Sequence, residues 1–267
     1  VANITWTPGL PAAFKTMHGY DIHAVLPFLM WGNNNLGVQA GNPGPYRVFD
    51  EDQTLSDGYQ NDYRATLEAL YQEHLTALST GVHESLGVKL RTQVSYNLPM
   101  DMAASVPLVD VPECESLGFR DSIDAYRQYV GPAILGDRNI ISNEMGAVLG
   151  EAYRYTTPML LTSSDIAFAG GSNRMVLHAQ GYTGDYYGTT WPGYTGLQYA
   201  FSDSYTNKHP AWENGFSDVM RYLARTQHTQ QAGTARIDVA IYHKSSATDI
   251  SFPTIYKQDD LSRVGEL

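Results

Sequence analysis

A chain of 267 residues, 43% of them hydrophobic, can bury one large core or two small ones, which argues against a disordered segment. Its net charge of −11 and the lack of any Lys/Arg run argue against a nucleic-acid backbone or an anionic membrane surface as partner. No apolar run reaches the ~18 residues of a membrane-spanning helix, and the low charged fraction (17%) beside 19 tyrosines suits a secreted, extracellular protein that meets neutral, hydroxylated ligands.

Residues 1–32 open with Trp6-Thr7-Pro8-Gly9, in which Thr7 can cap a short helix with Pro8 at its first position. That helix runs through Phe14 and is broken at His18-Gly19-Tyr20-Asp21; Asp21 then caps a second helix over 22–30, which Pro27 kinks or shortens. Residues 33–58, rich in Gly, Asn, Pro and Asp, read as a long surface loop. The clearest helix lies over 60–86, with Tyr63, Leu67, Leu70, Tyr71, His74, Leu75 and Leu78 at three- and four-residue spacings and Gly87 as its stop. Strands are expected at 88–96, 108–111, 139–142, 174–180 and 236–242, and helices at 122–135, 157–169 and 211–230, the second of these ending on Gly170-Gly171. Residues 181–209 form a second long loop dense in Gly, Tyr and Trp. Strands alternating with helices predict an α/β fold with a parallel sheet. A closed (β/α)8 barrel needs eight strands, so the first strands are expected outside this chain. The whole of residues 1–267 then reads as part of a single (β/α) barrel catalytic domain and as an internal piece of a longer parent protein.

Residues 107–146 carry the chemistry. A short strand, a loop with Glu113 and Glu115, a helix and a second strand ending on Glu144 make a βαβ unit, so the two strands are parallel neighbours. Both acidic clusters then lie at the C-terminal ends of strands, the edge on which barrel active sites are built. Paired carboxylates there suit glycoside hydrolysis, in which one protonates the leaving oxygen and another activates water. At alternate positions Glu113 and Glu115 point the same way, either to raise one pKa or to share a cation. His178, in the strand Val176-Leu177-His178-Ala179, and Asp101, on the loop after Asn97-Leu98-Pro99, are candidate ligand contacts. Trp191 and Tyr194, with Tyr186 and Tyr187, crowd one loop and can stack on sugar C–H faces or fold inward. Cys114, the one cysteine, reads as a small buried residue whose flanking glutamates raise its pKa. Asn3-Ile4-Thr5 is a glycosylation sequon, expected to make the protein a glycoprotein. His18 and His23 have no third partner in the sequence to complete a zinc site, and nucleotide, serine-hydrolase and zinc-protease motifs do not occur. A non-catalytic glycan-binding barrel is the alternative to an enzyme.

With these residues in view, the chain resembles glycoside hydrolase family 106, the α-L-rhamnosidases, in particular its fungal relatives. The resemblance is carried by Trp6-Thr7-Pro8, Gly19-Tyr20-Asp21, Leu26-Pro27, Asp62-Tyr63-Arg64 with Thr66-Leu67, and Asp110-Val111-Pro112-Glu113-Cys114-Glu115. It continues through Ser142-Asn143-Glu144 and Gly170-Gly171-Ser172-Asn173-Arg174 to His178. It implies a (β/α)8 TIM-type barrel, inverting hydrolysis of terminal α-L-rhamnose from plant polysaccharide, and calcium in the site. On that resemblance Glu144 matches a catalytic glutamate, and Glu115 an active-site acid that acts on the water or binds the cation. A further family glutamate precedes the Trp-Thr-Pro motif, at a position that falls before Val1; the calcium ligands are left unassigned.

Overall fold

The computed structural model describes residues 5–31, 53–94, 101–119, 121–151, 154–179, 200–202 and 210–240. Two compact units emerge: one of residues up to Leu90 with Val94–Asp110, the other of Arg91–Gln93 with Val111–Ala240.

The first unit is helical. Helix α1 (Leu10–His18) starts later than Thr7 and Pro8 suggest, because the Thr7 carbonyl first accepts from Leu10 N in a turn (3.1 Å), and Gly9 takes the cap position. Gly19, at φ +81°, ends it by donating to the Lys15 carbonyl, a left-handed stop that favours glycine. Asp21 accepts from His23 N (2.9 Å) and caps a 3-10 turn over Ile22–Val25, which passes into α2 (Leu26–Trp31). The single helix expected over 22–30 is thus cut in two, since Pro27 has no N–H to bond back one turn. Helix α3 (Gln53–Leu86) begins earlier than its periodic stretch, so residues 53–58 of the expected loop are helical. The core is Leu10, Phe14, Ile22, Val25 and Leu29 against Tyr63 and Leu67, with Leu70 and Tyr71 partly buried beside it; His74 and Leu78, expected on the same helix stripe, are exposed. Buried Glu68 accepts from Gln72 Nε2, Asp101 N and Ser105 Oγ at 2.7–2.8 Å, fastening α4 (Met102–Ser105) to α3.

The second unit holds four parallel strands in sequential order: β1 (Arg91–Thr92), β2 (Val111–Glu115), β3 (Ser142–Met145) and β4 (Arg174–Leu177). Helices α5 (Ser116–Phe119) and α6 (Ile123–Leu135) lead from β2 to β3; α7 (Thr157–Ala169) leads from β3 to β4, and α8 (Phe216–Ala232) follows. Several sequence boundaries move: among the described residues the strand expected at 88–96 is Arg91–Thr92, that at 174–180 is Arg174–Leu177, and the helix expected at 211–230 is Phe216–Ala232. The strand expected at 108–111 lies at Val111–Glu115, because Pro107 starts a 3-10 turn, Val106–Leu108, instead. The strand expected at 139–142 begins at Ser142. Residues 236–240 are exposed and pair with no strand among the described residues, although their Ile-Val pattern favours one; residues 241–242 of the expected strand lie outside the described residues.

The turn from α7 into β4 sets the register of the sheet. Gly171 N donates to Phe168 O and Ser172 N to Ala167 O, both at 3.0 Å, with Gly171 at φ +101°, a Schellman stop. Asn173 then clips the start of β4 to the chain before β3. Its N–H donates to Ile141 O (2.9 Å), its Oδ1 accepts from Ile141 N (2.9 Å), and its Nδ2 donates to Asn139 O (2.7 Å). A Cβ on Gly171 would lie 2.7 Å from Val130 Cγ1 of α6. Gly171→Ala is therefore expected to destabilise the fold by about 2–4 kcal/mol, from left-handed strain plus overpacking. Gly81→Ala, in the exposed part of α3 with open space around it, is expected to stabilise by about 0.5–1 kcal/mol. Denaturant unfolding of both variants checks the pair.

Candidate active site

The parallel strands end on one edge, and that edge gathers the titratable side chains. Gln93 directly follows β1, Glu115 ends β2, Glu144 is one residue from the end of β3, and His178 directly follows β4. Glu113 and Glu115 belong to β2 itself, and the loop expected to carry them is strand. Alternation puts both on one face and Cys114 on the other. Register pairs Glu113 with Ser142 and Glu115 with Glu144, so the βαβ reading holds and the two acidic clusters become direct neighbours.

Glu115 is 4% exposed, and its Oε1 accepts from Gly118 N at 3.0 Å. Burial, and next the negative charge of Glu144, push its carboxyl up to about 7 against the opposing pull of that N–H. Glu144 is more open, its side chain 26% exposed. Its Oε2 accepts from Gln93 Nε2, and His178 Nε2 stands 3.9 Å from its Oε1. Ser116 Oγ donates to the Glu144 carbonyl (3.3 Å) and accepts from Gly146 N (3.2 Å), tying the first turn of α5 to the end of β3. Glu113 is served by three donors: Ser142 Oγ and Arg91 Nε (3.4 Å) at Oε2, and Gln93 Nε2 (3.5 Å) at Oε1. His178 is held by its N–H on the Met145 carbonyl (2.8 Å) and by an edge-on contact with Phe201, ring centroids 5.4 Å apart; its Nδ1 is buried without a hydrogen-bond partner.

Cys114 is buried as expected, its thiol near Ser142 O and Ser172 Oγ (3.4 Å each). Its pKa rises to about 12, chiefly through burial and only in minor part through Glu113, so the flanking glutamates are not the main cause. Asp101 sits in the helical unit, where its carboxylate caps α4 by accepting from Ala104 N (3.2 Å). His18 lies against Asp62 and Thr66, and His23 against Asp21. Trp191 and Tyr194, with Tyr186 and Tyr187, fall outside the described residues.

Calcium takes a shell of six to eight oxygens. Among the described residues no three His, Cys, Asp or Glu side chains converge as a metal cage. The oxygens of Glu113 and one of Glu144 accept from protein donors, and a guanidinium stands at Glu113. Arranged in this way these residues do not fit a calcium ion.

Sequence reasoning missed Arg91, Gln93 and Asn173 as site-building residues. Arg91 and Gln93 lie inside the predicted strand 88–96 but carry no motif. Only the parallel pairing of β1 with β2 brings them to the carboxylates.

A family model described as alpha-L-rhamnosidase, glycoside hydrolase family 106, matches residues 1–262. A protein of Formosa agariphila named "Putative beta-glucuronidase" is 23% identical over 253 residues, covering 94% of this chain and 20% of that protein. The structure of a rhamnosidase from Novosphingobium sp. PP1Y superposes with a TM-score of 0.58 at 20% identity, covering 85% of this chain and 21% of that one; at that identity it bears on the fold alone. The chain spans about a fifth of the length of either relative. It belongs to glycoside hydrolase family 106, the alpha-L-rhamnosidases.

Proposed function

We propose that this chain supplies the carboxylate pair of a glycosidase that removes terminal α-L-rhamnose, or a similar sugar, from plant polysaccharide. The observation that carries the reading is the pairing of Glu115 with Glu144 at the C-terminal edge of a parallel sheet, one carboxyl raised to about 7 and the other half-open to solvent. Glu115, protonated below about 7, gives its proton to the leaving oxygen. Glu144, ionised, accepts a proton from the water that attacks the sugar carbon from the opposite face. The expected outcome is inversion. Paired positions on adjacent strands begin about 4.8 Å apart, whereas an inverting pair needs about 6.5–9.5 Å between carboxyls. The two carboxyls are tethered separately, Glu115 by Gly118 N and Glu144 by Gln93 Nε2.

His178 faces Glu144 and is assigned to the substrate, with its ring oriented by Phe201. Glu113 organises the cluster from below. Trp191 and Tyr194 are assigned to stacking on the sugar, on the chemistry of their loop. The sequential parallel order of β1–β4 supports a barrel wall, and we assign the chain to part of a (β/α)8 barrel in a secreted parent protein.

Glu144→Gln is expected to lower kcat/KM by about 10²–10⁴-fold, on substrates with good and poor leaving groups alike. Glu115→Gln is expected to cost as much on an alkyl or glycosyl leaving group and much less on a nitrophenyl one, which departs without protonation. In the wild type, kcat/KM falls tenfold per pH unit above about 7, as Glu115 loses its proton. Proton NMR of the first sugar released from an α-rhamnoside gives the β anomer on inversion. An α anomer contradicts the inverting assignment, and full activity of Glu144→Gln removes Glu144 from the mechanism.

A further inference from the structure

The carboxylate cluster has a donor that its acidic residues alone do not explain. Gln93 leaves the end of β1 and its single Nε2 meets two carboxylates, Oε2 of Glu144 and Oε1 of Glu113, the latter at 3.5 Å. An amide nitrogen has two N–H groups, and only that end of the side chain can face two carboxylates at once. Glu144 stands on β3 and Gln93 just past the end of β1, with β2 between the two strands. The amide therefore reaches across the intervening strand, over the face that carries Glu113 and Glu115. Arg91, on the same short strand, holds Glu113 from its other oxygen at 3.4 Å, so β1 contributes one cation and one neutral donor to a site built from three glutamates.

We infer that Gln93 is a positioning residue of the carboxylate pair, a neutral amide strut that fixes the orientation of the Glu144 carboxylate while adding no charge to it. This rests on the glycosidase reading above. A neutral donor is suited to the task. A second cation at that point would bind Glu144 as a tight ion pair and compete with its role as base, and a carboxylate would repel it. The amide meets the carboxylates of Glu113 on β2 and Glu144 on β3; around that pair stand Arg91 of β1 at Glu113, His178 after β4 at Glu144, and Glu115 of β2 in register with Glu144.

Gln93→Leu and Gln93→Glu separate positioning from mere packing. Gln93→Leu is expected to lower kcat by about 10²-fold with KM changed by less than about threefold, the cost of a misplaced reacting group. Gln93→Glu keeps the shape. Its carboxyl donates one hydrogen bond when protonated and none when ionised, so its kcat/KM relative to wild type should fall by about tenfold or more between pH 5 and pH 8. A ratio that stays constant with pH, or a kcat of Gln93→Leu within twofold of wild type, overturns the inference. Thermal melting of the same intact proteins is read beside the kinetics. Gln93→Glu should lose more against wild type at pH 8 than at pH 5, and Gln93→Leu equally at both. If the wild type releases no sugar, the glycosidase reading fails on its own; identical melting of Gln93→Glu and wild type at both pH values then overturns the strut as well.

Discussion

The site depends on one constraint, the register that sets Glu115 directly beside Glu144 on neighbouring parallel strands. Two carboxylates at paired positions repel, and burying either in ionised form is costly. A register shifted by one residue would turn each glutamate to the opposite face of its strand. The pairing persists because the backbone around it is pinned from both sides. Asn173 duplicates the ladder between β3 and β4 with its own side chain, the Schellman turn at Gly171 delivers it there, and Ser116 locks the end of β3 to α5. None of these groups belongs to the carboxylate pair; they decide where its two carboxyls lie.

Given that register, the three glutamates divide the electrostatic load unequally. Glu113 sits beside Arg91 and the Ser142 hydroxyl. Glu144 is partly hydrated and accepts from Gln93. Glu115 is the most enclosed of the three and has one backbone donor, so it holds its proton to about 7. Environments that drive neighbouring carboxyls apart in this way are how acid and base roles are assigned on a single face. On the proposed reading, the unit carries both halves of a proton-transfer site on strands, which position groups more rigidly than loops do.

Much of this was readable in the chain. The apolar stripe at Tyr63 and Leu67, the glycine stops at Gly19 and Gly170-Gly171, and the strand–helix–strand order around Glu113 and Glu144 all follow from period and local stereochemistry. What local patterns do not encode is pairing. The strand of Glu113 and Glu115 begins with Val111-Pro112 and is rich in acid, so propensity places it a few residues early. Pro112 is tolerated, and the glutamates are buried, because tertiary contacts override preference there. Arg91 and Gln93 have no motif at all, and their role exists only once β1 lies beside β2. At residues 236–240 a good strand pattern pairs with no strand among the described residues.

The most direct test of the account is a panel of aryl glycosides, α-L-rhamnoside and β-D-glucuronide included, offered to the full-length protein. Both sugars enter because the family model and the curated relative carry different names. Release of rhamnose in preference to every other sugar is the predicted result. Release of glucuronic acid alone would contradict the substrate assignment, and release from no glycoside would contradict the claim that Glu115 and Glu144 form a hydrolytic pair.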